Sequence, residues 1–162
     1  AGVIFDVLGD VTTVYAATLD SSAMVKISDE TNFASITHAI ARNNAKYGFK
    51  YTVYELYDKT TGAVKYVGRT RQPLTMRKMQ HWATDSAKKG LQIQVARIEG
   101  KELKGLLYSE ARGLEQLAYE NYTKNGIKLL NKIRPLSNST KKAATKAAKY
   151  LDDAGKFLKK II

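Results

Sequence analysis

The spacing of apolar positions changes along the 162-residue chain and divides it into three zones. In residues 1–45, Ile36, Ala39 and Ile40 fall at helical spacing, and Ser28, Asp29 and Glu30 offer a helix start ahead of them. This zone reads as one or two helices, an accessory or delivery segment ahead of the main body. From residue 50 the pattern turns to β-formers. Tyr51, Val53, Tyr54, Leu56 and Tyr57 make one run, and Val64, Tyr66 and Val67 make the return. Asp58 to Gly62 between them has the length and the closing glycine of a hairpin turn. Pro73 then opens a helix carrying Leu74, Met76, Arg77, Met79 and Trp82. A third strand is expected over residues 91–98. A long helix follows from about 106 to 124, closed by Asn125 and Gly126.

The last zone, residues 137–162, carries a basic amphipathic helix from 139. Ala144, Ala147, Leu151, Ala154, Leu158 and Ile161 form its apolar stripe, which predicts a helix docked on the core. The whole is expected to be α+β. A small three-stranded antiparallel sheet is flanked by helices, with a core over 46–136, a helical segment before it and a basic helix after it.

Composition narrows the chemistry. The chain has no cysteine, which removes disulfides, thiol nucleophiles and cysteine-ligated metal sites. Only His38 and His81 are present, so any metal is expected on oxygen ligands, which favours magnesium, manganese or calcium. The formal charge of +12 is uneven: residues 1–45 carry a net −3 and residues 46–162 a net +15. A basic body of this kind attracts polyanions, nucleic acid first among them. No run of eighteen apolar residues exists, so no stable membrane insertion is expected; the mostly apolar stretch 11–19 follows Asp6 and Asp10, where a signal peptide would be basic.

The acids of the basic body are scattered, which suits a single-metal site better than a carboxylate-rich cage. Thr52-Val53-Tyr54 and Tyr66-Val67-Gly68 are followed by Leu74, Arg77 and His81, then Glu115 in Arg112-Gly113-Leu114-Glu115-Gln116, then Asn131 in Leu130-Asn131-Lys132. These residues, in this order over about 80 positions, resemble the GIY-YIG nucleases. Thr52 stands where that family's first motif has glycine. The resemblance implies a metal-dependent endonuclease. Glu115 would hold a single divalent ion, magnesium or manganese, and Arg77 would contact the scissile phosphate. Tyr54 or Tyr66 would position or deprotonate water, with nearby cations lowering its pKa. His81 would shuttle a proton and Asn131 would orient a loop or a phosphate. Lys65, Arg69, Arg71 and Arg112 would extend the phosphate track.

The sequence from Arg112 to Ile133 is most like the C-terminal nuclease domains of bacterial polymorphic toxins of the contact-dependent inhibition type. That implies DNA cleavage in the cytoplasm of a target cell, delivery as part of a larger secreted or cell-surface protein, and a dedicated acidic immunity protein. The chain's start at Ala1 fits a fragment of a longer polypeptide.

Other readings stand beside this one. The same fold can serve an RNase cutting tRNA, or a nucleic-acid-binding module without activity. Tyr54 and Tyr66 could be only a cross-strand aromatic pair. Glu110 competes with Glu115 as the helical carboxylate. Asp85 with Glu99-Gly100-Lys101 resembles the Asp…Glu-x-Lys arrangement of a different nuclease class.

Overall fold

The structure, a computed structural model, describes residues 23–160, and the side chains from residue 33 onward. The apolar stretch 11–19 and Ile161 lie outside these residues.

Helix α1 (Ala23–Tyr47) is one continuous helix, so Ser28, Asp29 and Glu30 lie inside it and do not start it. Ile36 and Ile40, four apart and therefore on one face, are buried with Leu136 and Tyr150. Gly48, at φ 63°, turns the chain out of the helix.

Strands β1 (Thr52–Tyr57) and β2 (Val64–Thr70) form the expected hairpin, with Tyr54 opposite Gly68. The turn is built by Asp58, whose carboxylate accepts the N–H groups of Thr60 and Thr61 and whose carbonyl accepts that of Gly62. Helix α2 (Leu74–Thr84) follows. Pro73 precedes it as an extended cap residue (ψ 142°) instead of taking the first helical position. A short 3₁₀ turn (Ser86–Lys88) is capped by the Asp85 carboxylate.

The expected third strand, 91–98, is broken. Strand β3 (Gln92–Val95) pairs with β1, giving the antiparallel order β2-β1-β3. The strand ends at Val95: the next N–H, of Ala96, goes to the Val53 carbonyl and the Ala96 carbonyl accepts from Leu103. Strands β4 (Arg97–Ile98) and β5 (Lys101–Glu102) make a separate two-stranded hairpin, turned at Glu99 (φ 51°) and Gly100 (φ 79°). Because β1 is central, its four middle residues, Val53 to Leu56, are all buried.

Helix α3 (Tyr108–Lys124) starts two residues later than the periodicity suggests. Leu106 is held back by a two-way backbone bridge with Tyr51, and the Glu110 carboxylate accepts the Leu107 N–H at the helix entrance. Helix α4 (Lys141–Lys159) starts at a Thr140 cap whose hydroxyl accepts the Ala143 N–H. It packs on α3 where Gly113 faces the Tyr150 carbonyl; a Cβ at 113 would lie 2.1 Å from that oxygen. Its buried stripe is Tyr150, Ala154 and Phe157, with Ala147, Leu151 and Leu158 beside it, whereas Ala144 is exposed. The main core joins both layers: Val53 and Val67 from the sheet, Leu103 and Leu106 from the connecting segment, Ala111, Leu114 and Ala118 from α3, and Ala154 from α4. The architecture is α+β, a three-stranded antiparallel sheet flanked by helices. No helix among the described residues is long and apolar enough to cross a membrane.

Candidate active site

At the β2 side of the sheet a polar pocket of about 310 Å³ is lined by Tyr51, Tyr54, Tyr66, Gly68, Arg69, Arg77 and Glu115. The hairpin supplies Tyr54 and Tyr66, α2 supplies Arg77 and α3 supplies Glu115. Gly68 is small for a local reason. It lies opposite Tyr54 in the ladder, and a Cβ there would sit 2.5 Å from the Tyr54 hydroxyl and 2.9 Å from the Tyr66 ring.

The Tyr54 hydroxyl is the centre of a hydrogen-bonded chain. Arg77 Nε donates to it at 3.1 Å, and His81 Nε2 lies 2.6 Å away. A guanidinium can only donate. The phenol oxygen therefore accepts from Arg77. With His81 protonated on Nδ1, Nε2 accepts the phenol proton; with the ring proton on Nε2, the ring donates to the phenol instead. In either tautomer the ring is held neutral. Burial, then the charges of Arg77 and Lys88, push the His81 pKa down to about 4. His81 stands behind Tyr54 and not on the pocket surface; it is 4% exposed.

Both phenols resist ionisation. Burial raises Tyr54 and Tyr66, and the positive charge of Arg77 does not reverse it. The expectation that cations would lower a tyrosine here is thus overturned, because desolvation of the phenolate outweighs them. The two rings also touch as a cross-strand pair, with centroids 6.3 Å apart. Lys88, which the sequence pattern does not single out, lays its ammonium over the Tyr66 ring 3.9 Å from the centroid.

Glu115 points into the pocket with its side chain 9% exposed, and Arg69 Nη1 donates to its Oε1 at 2.7 Å. Burial raises the Glu115 pKa against the opposing pull of Arg69, Arg112 and Arg77. Glu110, the rival carboxylate, turns away to the Leu107 N–H, with Lys160 at 3.6 Å. The Asp…Glu-x-Lys alternative is not assembled. Asp85 caps the 3₁₀ turn, Glu99 is exposed in the β4–β5 turn, and the Lys101 ammonium donates to the carbonyls of Phe157 and Lys160 at the end of α4.

The remaining candidates lie around the pocket. Asn131 spends both ends of its amide on one residue. Its Oδ1 accepts the Val67 N–H at 3.1 Å and its Nδ2 donates to the Val67 carbonyl at 2.8 Å. It orients the loop along β2, and one N–H of its amide remains beyond these two bonds. Lys65 offers its carbonyl to Leu130 in the same seam and does not line the pocket. Arg71 lies over the Tyr47 ring, outside the lining. Arg112 is held by the Tyr108 hydroxyl, which accepts at 2.7 Å, and its charge reaches Glu115 from outside the lining. Tyr51 lines the pocket without having been picked out in the sequence; its burial beneath α3 carries no periodic mark of a site.

A divalent ion would find one carboxylate here. Among the described residues no three Asp, Glu or His side chains cluster. Magnesium keeps several waters and commonly takes one or two carboxylates plus substrate phosphate. Glu115 in a pocket with two cations, Arg77 and the Arg69 that bonds it, fits that mode. Comparison with protein-family models, with curated proteins and with solved structures finds no match to this chain.

Proposed function

We propose that the chain hydrolyses phosphodiester bonds of nucleic acid as a metal-dependent endonuclease, with DNA the favoured polymer. One observation carries the reading. Residues separated by up to 61 positions, Tyr54, Tyr66, Arg77 and Glu115, meet in one pocket, with His81 hydrogen-bonded behind it. This supports the GIY-YIG resemblance independently of residue order.

The side chains divide the work. Arg77 and Arg69 supply positive charge where a phosphate would enter. A water hydrogen-bonded to Tyr54 would give it a proton as the phenol passes its own along. In the tautomer protonated on Nδ1, neutral His81 takes that proton on Nε2, so that Tyr54 works as a relay and not as a standing phenolate. Tyr66 shapes the wall. Glu115 would hold magnesium or manganese, which when bound supplies charge against the phosphate oxygens. Asn131 acts through β2: it fixes the strand carrying Tyr66 and Gly68, and is a positioning residue.

The biological setting we propose is the toxic end of a larger bacterial protein, delivered to act in the cytoplasm of a target cell. The net +15 of residues 46–162 suits both a polyanionic substrate and neutralisation by an acidic immunity protein.

The test is magnesium-dependent digestion of plasmid DNA and total tRNA by the parent and by Glu115→Ala. Plasmid loss requiring both magnesium and Glu115 is the expected result. Loss of tRNA alone moves the substrate to RNA. Binding without cleavage of either polymer leaves a nucleic-acid-binding module and rejects the enzyme reading.

A further inference from the structure

Beside the pocket, at the junction of α1 and β1, cations and aromatic rings alternate. The Arg71 guanidinium lies over the Tyr47 ring at 4.2 Å and over the Tyr51 ring at 5.8 Å. Tyr47 and Tyr51 meet edge to face, 6.0 Å between centroids. Tyr51 also lines the pocket, so this stack and the pocket share a wall. Between the two tyrosines in sequence, just past the Gly48 turn, Phe49 is 64% exposed. Arg71 is exposed too, and no carboxylate among the described residues pairs with it.

An arginine bonded edge-on suits a phosphate. One set over a ring and exposed to solvent, as Arg71 is, suits a planar aromatic ligand. An exposed phenylalanine adds nothing for an anion, yet it offers another stacking face. Both faces of a base inside a duplex are already covered by its neighbours. Only an unpaired base can stack on a protein platform.

We propose that Arg71 on Tyr47, with Phe49, forms a subsite for one unpaired nucleobase next to the phosphate pocket. The substrate is then a single-stranded stretch, in DNA or in RNA. This rests on the phosphodiesterase reading and names the substrate class for it.

The experiment measures binding of the full chain carrying Glu115→Gln to 2-aminopurine-labelled oligonucleotides of one sequence. The probes are single-stranded DNA, single-stranded RNA, the DNA duplex, and a single strand with one abasic position. Single strands are expected to bind about tenfold tighter than duplex, with a change in 2-aminopurine fluorescence that the abasic strand lacks. Phe49→Ala removes an exposed ring. Arg71→Lys keeps the charge and loses the planar group. Each is expected to weaken single-strand binding about tenfold and leave duplex binding unchanged, the cost of one lost stacked base. Equal affinity for duplex and single strand, or variants that weaken both alike or neither, would overturn the subsite. If magnesium-dependent cleavage by the parent persists in that case, only the subsite falls. If no oligonucleotide binds at all, the phosphodiesterase reading falls with it. The DNA and RNA arms say which polymer supplies the base.

Discussion

Tyr54 has one proton, a donor in Arg77 on one side and, in the tautomer the proposed relay uses, an acceptor in His81 on the other, and most of the chemistry proposed for the site follows from that. Replacing His81 with Gln keeps an acceptor near the phenol and removes the base. Cleavage is expected to fall by roughly 10²-fold or more, in the range of lost acid–base assistance, with substrate KM nearly unchanged. The pH dependence has a definite sign. His81 is neutral above about 4, so the acid limb of cleavage due to this ring is expected near 4 and not near 6.5. The same shift acts on folding. The unfolded chain takes up the His81 proton below about 6.5 while the native ring stays neutral down to about 4. Its contribution to stability is whole at neutral pH and is lost as pH falls through that window. Thermal midpoints at pH 7 and 4.5 should therefore differ less in His81→Gln than in the parent. Gly68→Ala places a methyl on the Tyr54 phenol, and is expected to lose most activity while costing about 1–3 kcal/mol in urea unfolding. At this scale the sequence was readable where chemistry marks a residue. Tyr54, Tyr66, Arg77 and Glu115 meet in the pocket as expected. The relay was not readable, because the direction of the Tyr54 proton depends on which two side chains flank it. Lys88 was equally hidden: a 3₁₀ turn leaves no period in the sequence, yet it sets an ammonium on the Tyr66 ring.

Elements were legible to the extent that their periodicity was undisturbed. The hairpin, α2 and α4 lie where alternation and helical spacing put them. The region from residue 91 to 106 was not legible, because two local events interrupt it. Strand β3 ends at Val95, with Ala96 bonded to Val53 of β1 on one side and to Leu103 on the other, and Glu99 adopts a positive φ that a non-glycine residue seldom takes. The small β4–β5 hairpin that results delivers Lys101 to the end of α4, where its ammonium binds the carbonyls of Phe157 and Lys160. Lys101→Met is expected to fray the last turn of α4, seen as faster amide exchange there with the sheet unaffected. Gly113→Ala is the harsher change. Its methyl would meet the Tyr150 backbone, so α4 must move off α3. A loss of about 1–3 kcal/mol or more in unfolding free energy is expected, together with weaker burial of Phe157.

For the molecule as a whole, charge governs how it meets a polyanion. A net +12, made of +15 after residue 45 against −3 before it, makes binding to any nucleic acid a counterion-releasing event. Affinity is expected to drop by roughly 10³-fold between 50 and 200 mM salt if about six phosphates are neutralised. A flat salt dependence would speak against a polyanionic substrate. Two buried clusters share Tyr108 at their boundary, and Ile36 and Ile40 of α1 belong to the second. The helix ahead of the sheet therefore shares in the packing that supports the site. Its register is legible from the two isoleucines, although its start is not.

The seam at Asn131 has a further consequence, for solubility. Strand β2 is one of the sheet's two outer strands, and its Val67 amide and carbonyl are the groups that a strand from a neighbouring molecule would seek. A single side-chain amide occupies both, with Leu130 taking the next carbonyl along. Without that amide, the edge becomes a template for another chain. Asn131→Ala is expected to show its defect first as concentration-dependent light scattering and only secondarily as lost turnover. A variant that stays clear at high concentration would mean that the loop closes the edge without its asparagine.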